Sequence, residues 1–203
     1  MIAQFLTACL CGGLGGAVFT WIVNRRFRQP PVLGLRLLRE EGEKGKIRYA
    51  SHNGIEERSE EARYYHIRVS NERRWSPAND VQVFLIRLEE PGPDEALQVM
   101  WVGEVPMQWR HQEVSPLTRT IGHDADCDLC SVGKGKWLSL MPLIIPLNLN
   151  ARRQERCRMV ASFLARSTQV DSPILRIEIA WDGDWEDGDI EMQRHLKIRP
   201  LGT

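Results

Sequence analysis

The chain has 203 residues with 27 basic and 27 acidic side chains, so its formal net charge is zero and the chain as a whole offers no electrostatic case for nucleic acid binding. Five cysteines are present; two lie in an apolar N-terminal run, and the odd remainder, Cys127, Cys130 and Cys157, excludes a closed disulfide framework and agrees with a reducing compartment. Outside the first 29 residues about 175 remain, enough for one domain with a sizeable core and too few for two.

Ile2 to Val23 is an almost uninterrupted apolar run. At a rise of about 1.5 Å per residue it reaches about 33 Å, enough to cross a hydrocarbon layer of about 30 Å, and it predicts one membrane-spanning helix. No Lys or Arg precedes Val23, whereas Arg25, Arg26 and Arg28 follow it closely and form a collar at the membrane interface. By the positive-inside bias this asymmetry predicts a single-pass membrane protein whose C-terminal domain is cytoplasmic. A cleaved secretory signal needs a basic stretch before the apolar run and small residues at a cleavage site after it; neither is seen, so the segment is expected to stay attached. Leu6-Thr7-Ala8-Cys9 has the look of a lipoprotein box but lacks that basic stretch. Ala8, Gly12, Gly16 and Thr20 are four apart and share one helix face, where small residues let two backbones approach; self-association through this stripe is expected.

Residues 30 to 203 form the second unit. After Pro30-Pro31, Val32 to Arg39 has the composition of a first strand, and the polar stretch 40–63 reads as a long excursion or mobile loop. Tyr64 to Ser70 alternates Tyr64, His66 and Arg68 with Tyr65, Ile67 and Val69, a strand pattern, and Val81 to Leu88 follows after a turn containing Ser76-Pro77. The pair is expected to form an antiparallel hairpin. Further strands are expected at Leu97 to Val102, Trp137 to Met141, Arg156 to Ala165, Ile174 to Trp181 and Ile190 to Ile198. Seven or more short strands without a long amphipathic helix predict an all-β antiparallel sandwich.

The residues Tyr64-Tyr65-His66-Ile67-Arg68-Val69-Ser70-Asn71, followed by Pro77-Ala78-Asn79-Asp80-Val81-Gln82-Val83, resemble the early strands of immunoglobulin-like domains in poorly characterised bacterial single-pass membrane-anchored proteins. The resemblance implies an immunoglobulin-like architecture and no activity. The chain departs from true immunoglobulin domains in lacking paired cysteines around a core Trp.

Several segments invite a chemical reading. His123-Asp124-Ala125-Asp126-Cys127-Asp128-Leu129-Cys130 offers three zinc ligands, His123, Cys127 and Cys130, but no fourth at motif spacing, and its aspartates oppose a reactive thiolate; a strand edge with small apolar positions occupied by Cys is expected instead. Trp181 to Asp189 clusters carboxylates, yet residues 187 and 193 do not supply the Gly and Glu of a calcium loop, which leaves an acidic hairpin loop. Gly133-Lys134-Gly135-Lys136-Trp137 lacks the first Gly and the Ser or Thr of a phosphate loop and reads as a turn. Arg73-Arg74-Trp75 and Trp109-Arg110 combine cations with aromatic surface and are candidate partner-binding anchors. The expected function is thus a non-catalytic cytoplasmic β-sandwich on a membrane anchor, engaging a protein partner or a second copy, with no cofactor and no small-molecule substrate. The alternative is a zinc- or thiol-dependent enzyme or sensor using His123, Cys127 and Cys130.

Overall fold

The computed structural model describes residues 16–17, 20–21, 29–49, 58–110 and 116–202. Gly16, Ala17, Thr20 and Trp21 are helical, and among the described residues no helix is long and apolar enough to cross a membrane. Ala8, Gly12, Arg25, Arg26 and Arg28 lie outside the described residues, and with them most of the expected anchor.

From residue 29 onward the chain is all-β apart from one short helix, in two antiparallel six-stranded sheets among the described residues. The first sheet holds β1 (Leu33–Leu37), β2 (Glu43–Tyr49), β3 (Arg58–Asn71), β7 (Asp124–Gly133), β8 (Trp137–Leu140) and β9 (Arg152–Arg153), in the order β1-β3-β7-β8-β9 with β2 also paired to β3. The second holds β4 (Ala78–Pro91), β5 (Leu97–Pro106), β6 (Arg119–Ile121), β10 (Cys157–Arg166), β11 (Leu175–Trp181) and β12 (Leu196–Leu201), in the order β12-β11-β10-β4-β5 with β6 on β4. Period-2 alternation turns one face of each sheet inward: Tyr65, Ile67 and Val69 of β3, Val83 and Leu85 of β4, Ala161, Phe163 and Ala165 of β10, and Ile177 and Ile179 of β11 join one buried cluster. The result is the layered, sandwich-like arrangement that the strand count predicts. Each buried aliphatic or aromatic side chain in such a cluster contributes about 1.5–3 kcal/mol.

Four expectations need correction. Tyr64–Ser70 and Val81–Leu88 do not form a hairpin: β3 and β4 belong to opposite sheets, and the turn 72–77 carries the chain across. Both strands alternate well, but alternation says which face is apolar and is silent on which strand is the neighbour. The polar stretch 40–63 is no loop over its described length, because β2 pairs with β3 from Glu43↔Tyr64 to Tyr49↔Arg58. Backbone pairing continues there where side chains meet solvent, so the ribbon has charged cross-strand partners such as Lys46↔Glu61 in place of apolar ones.

The third correction concerns Ile190–Ile198, where helix α1 (Asp189–His195) precedes β12. Asp189 and Glu191 lie in its first turn and Arg194 and His195 in its last, as the helix dipole favours, and Met192 is its one residue in the core. The fourth is the CxxC segment, which is central in its sheet: β7 pairs with β3 on one side and β8 on the other.

Between the sheets the chain is stitched by the residues after β5. Met107 bridges to Pro142, Trp109 bridges to Cys127, and Asp128 N–H donates to the Gln108 carbonyl at 2.8 Å. The strand that begins on β4 therefore ends on β7.

Candidate interaction surfaces

The two edges of the second sheet differ sharply. On β12 the exposed residues are Lys197, Arg199 and Pro200, which are side chains that discourage a further strand. In the first sheet β2 carries Lys44 and Lys46, and β9 is only two residues long and both are Arg. Among the described residues β5 stands apart, since Leu97-Gln98-Val99-Met100-Trp101-Val102-Gly103 holds no charge and no proline. Leu97 is 41% exposed, Val99 47%, Met100 55% and Val102 66%.

Register explains that exposure. The pairing of β4 with β5 shifts between Leu88 and Glu89, opposite Trp101 and Val99, so Met100 is the extra residue and neighbouring apolar side chains turn to solvent on both faces. Within Leu97–Gly103 it is Trp101 that turns inward, its indole N–H donating to Asn148 Oδ1 at 3.3 Å, and its ring lies over Gly103, where an added Cβ would stand 2.5 Å from a ring carbon. The open edge stops at Pro106, whose carbonyl accepts from Leu143 N–H at 2.7 Å. That contact brings the exposed Ile144, Ile145 and Leu147 alongside. On the outer face, Val102 continues into an open groove of about 730 Å³ floored by Ile86, Leu164 and Ile174. Its polar rim is an ion triad, with Glu89 accepting from Arg87 at 2.9 Å and Arg176 at 2.8 Å.

The cysteines point the other way. The β3–β7 register shifts between Tyr65 and His66, which pair with Cys130 and Asp128, so Leu129 is bulged and Cys127 and Cys130 both face the core although they are three apart. Both thiols are fully buried, and burial pushes both well above the usual thiol range; Cys157 is pushed up to about 11 for the same reason. His123 lies exposed beside Asp124 at 3.0 Å, and the fold does not gather it with Cys127 and Cys130. Outward from the same strand the aspartates find partners: Asp126 accepts from Arg68 at 2.8 Å and lies 3.5 Å from Arg110, and Asp128 lies 2.9 Å from His66 Nδ1. Burial pushes the Asp126 carboxyl up, but the Arg68 hydrogen bond and the nearby cations overcome it and hold the group below the usual range.

One group of described residues has metal-like proximity, Asp182, Asp184 and His195 in the acidic loop. Asp184 is neutralised by Lys136 at 2.6 Å, and Asp182 is engaged by His195 Nδ1 at 2.8 Å. The glycine-lysine segment is the β7–β8 turn, as expected.

The expected cation–aromatic anchors separate. Trp109 is 1% exposed and belongs to the core, and Arg110 is spent inside the protein on Glu43 and Asp126. Neither is a surface anchor, because the segment that holds them is the stitch between the sheets. Arg73, Arg74 and Trp75 do lie on the surface, in the turn from β3 to β4. The β5 edge escaped the sequence reading, although its signal was there in a strand-like run with neither charge nor a polar alternate face. The His66–Asp128 pair also escaped it, since 62 residues separate the two.

No protein-family model matches the chain, and no curated protein sequence matches it.

Proposed function

We propose that the chain is a single-pass membrane protein presenting a non-catalytic, immunoglobulin-like cytoplasmic domain that takes up an extended apolar strand of a protein partner along β5. The observation that carries this reading is the contrast between edges. β12, β2 and β9 have blocking charges, a proline or very short length, and β1 is five residues long with Arg36 in it, while β5 leaves the charge-free, apolar stretch Leu97–Gly103 open. Strand addition there supplies main-chain hydrogen bonds for affinity, and the Ile86–Leu164–Ile174 groove beside Val102 supplies a seat for alternate side chains.

The immunoglobulin-like part of the reading is supported by strand order. β1, β3 and β7 occupy the relative places of strands A, B and E, and β4, β10 and β11 those of C, F and G. The strand beside β7 is β8, which follows it in sequence, where such domains have a strand that precedes. The membrane part rests on the apolar run 2–23 and on Arg25, Arg26 and Arg28, which the positive-inside bias sets in the cytoplasm.

Photo-crosslinking in native membranes tests the edge. A benzoylphenylalanine at Met100 of the full-length chain is expected to give one discrete adduct larger than the chain and different from twice its mass, while the same residue at Lys197 on β12 gives none. Val99→Lys together with Val102→Lys should abolish the adduct. An adduct of twice the chain mass identifies a second copy as the occupant, and equal yields from both edges refute the edge assignment.

A further inference from the structure

We infer that the turn Arg73-Arg74-Trp75 is a second membrane contact that seats the base of the domain on an anionic lipid surface. This rests on the anchor reading above and on a set of distances independent of it. Ser76 Oγ donates to the Gln29 carbonyl at 2.7 Å, and Arg73 Nη1 donates to the Pro30 carbonyl at 2.8 Å. Glu72 N–H donates to the Val32 carbonyl at 3.0 Å. The turn is thus bolted to the first residues of the domain. Asn71 fastens the next segment to the same place, its side-chain amide donating to the Ile121 carbonyl at 3.3 Å and its backbone N–H to the His123 carbonyl at 2.6 Å. Arg74 and Trp75 of the turn are exposed.

The reach of the chain then fixes where this end of the domain must be. The apolar run stops at Val23 and Gln29 is already held by Ser76, so six steps of chain separate them. Fully extended, these span at most about 20 Å. The headgroup layer on one side of a bilayer takes up about 5–8 Å of that. The base therefore cannot leave the neighbourhood of the headgroups, and what the turn presents there is suited to them: the guanidinium groups of Arg73 and Arg74, which pair with phosphates, and Trp75 with its amphipathic ring.

The test uses the full-length chain reconstituted in vesicles of phosphatidylcholine alone or with phosphatidylserine, containing a headgroup spin-labelled quencher lipid. The readout is the emission lost on replacing Trp75→Phe, which isolates Trp75 from the other tryptophans. Trp75 emission is expected to be quenched in the phosphatidylserine vesicles and released by high salt. Arg74→Glu should lower the docked-to-free ratio by at least about fivefold. The lipid and salt arms need only the conservative Trp75→Phe as their reference, so they decide the matter even if Arg74→Glu fails to fold. Trp75 unquenched in both vesicles, or quenched equally in both and insensitive to salt, overturns the contact. Carbonate extraction separates the two readings: a chain that resists it while Trp75 stays unquenched keeps its anchor and loses this contact, and a chain that is released loses both.

Discussion

β5 and β7 are both ten residues long, and each lies where its composition argues against. β7 contains three aspartates and two cysteines, yet it is central in its sheet and its residues from Cys127 to Gly133 are buried. β5 is mostly apolar, yet it is an edge and its first four residues are exposed. The difference teaches that the polarity of a strand sets what its side chains need, while its position is set by which backbone partners remain. β7 satisfies its aspartates sideways, along the outer face, with Arg68 and His66 from β3. β5 has no strand on its outer side among the described residues, and its apolar side chains there meet solvent.

The comparison breaks most visibly at the bulge and at the stitch joining the two strands. Trp109→Ala and Leu129→Ala, both removing fully buried side chains, should each cost about 3–5 kcal/mol, seen as a lower urea midpoint with unchanged slope. A loss under about 1 kcal/mol at Leu129 would mean that the bulge does not face the core as described.

A smaller effect per site is expected from Cys127→Ser and from Cys130→Ser, each of which leaves volume nearly unchanged but buries a hydroxyl. The loss should be about 1–3 kcal/mol for each site. Alkylation of the native protein at mildly alkaline pH, mapped by mass spectrometry, should mark Cys157 before either of them, because burial pushes the other two thiols higher. Rapid labelling of Cys127 would place it outside the core.

Acid sharpens the contrast next. Asp126 has a folded value lowered below its ordinary 3.8, so its contribution is complete above about pH 4 and disappears as pH falls through the lowered value. The stability gap between wild type and Asp126→Asn should therefore close on acidification. Glu104 of β5 pairs with Arg166 in the open, and Glu104→Gln should change stability by at most about 0.5 kcal/mol at neutral pH.

The smallest expected effect on the fold is at the edge itself. Val99→Lys and Val102→Lys should leave stability within about 0.5 kcal/mol, because both side chains already meet water. The same pair should abolish the crosslink at Met100. A large loss of stability here would mean that β5 is covered by part of the chain itself.

Residues 33–37, 64–70, 81–88, 97–102 and 157–165 announced themselves as strands because one or both faces are apolar and the alternation is intact. β2 gave no such signal, since its ribbon has charged side chains on a hydrogen-bonded backbone. β7 was legible as a strand, with Ala125 and Cys127 inward and Asp124, Asp126 and Asp128 outward, but nothing local showed that it is central, between β3 and β8, and not an edge. Helix α1 was hidden by Ile190 and Ile198, which look like one strand until Met192 is seen to be the residue that enters the core.

The sequence by itself determined the all-β class, most strand positions, and the apolar run with its arginine collar, because these depend on periodicity, length and charge along the chain. Only the tertiary structure decided that β3 and β4 part into different sheets, that a bulge turns both Cys127 and Cys130 inward, that Trp109 is core while Trp75 is surface, and that β5 is the open edge. Each of these is a relation between residues far apart in sequence, set by backbone pairing and by the competition of many faces for one core, and no local pattern encodes it.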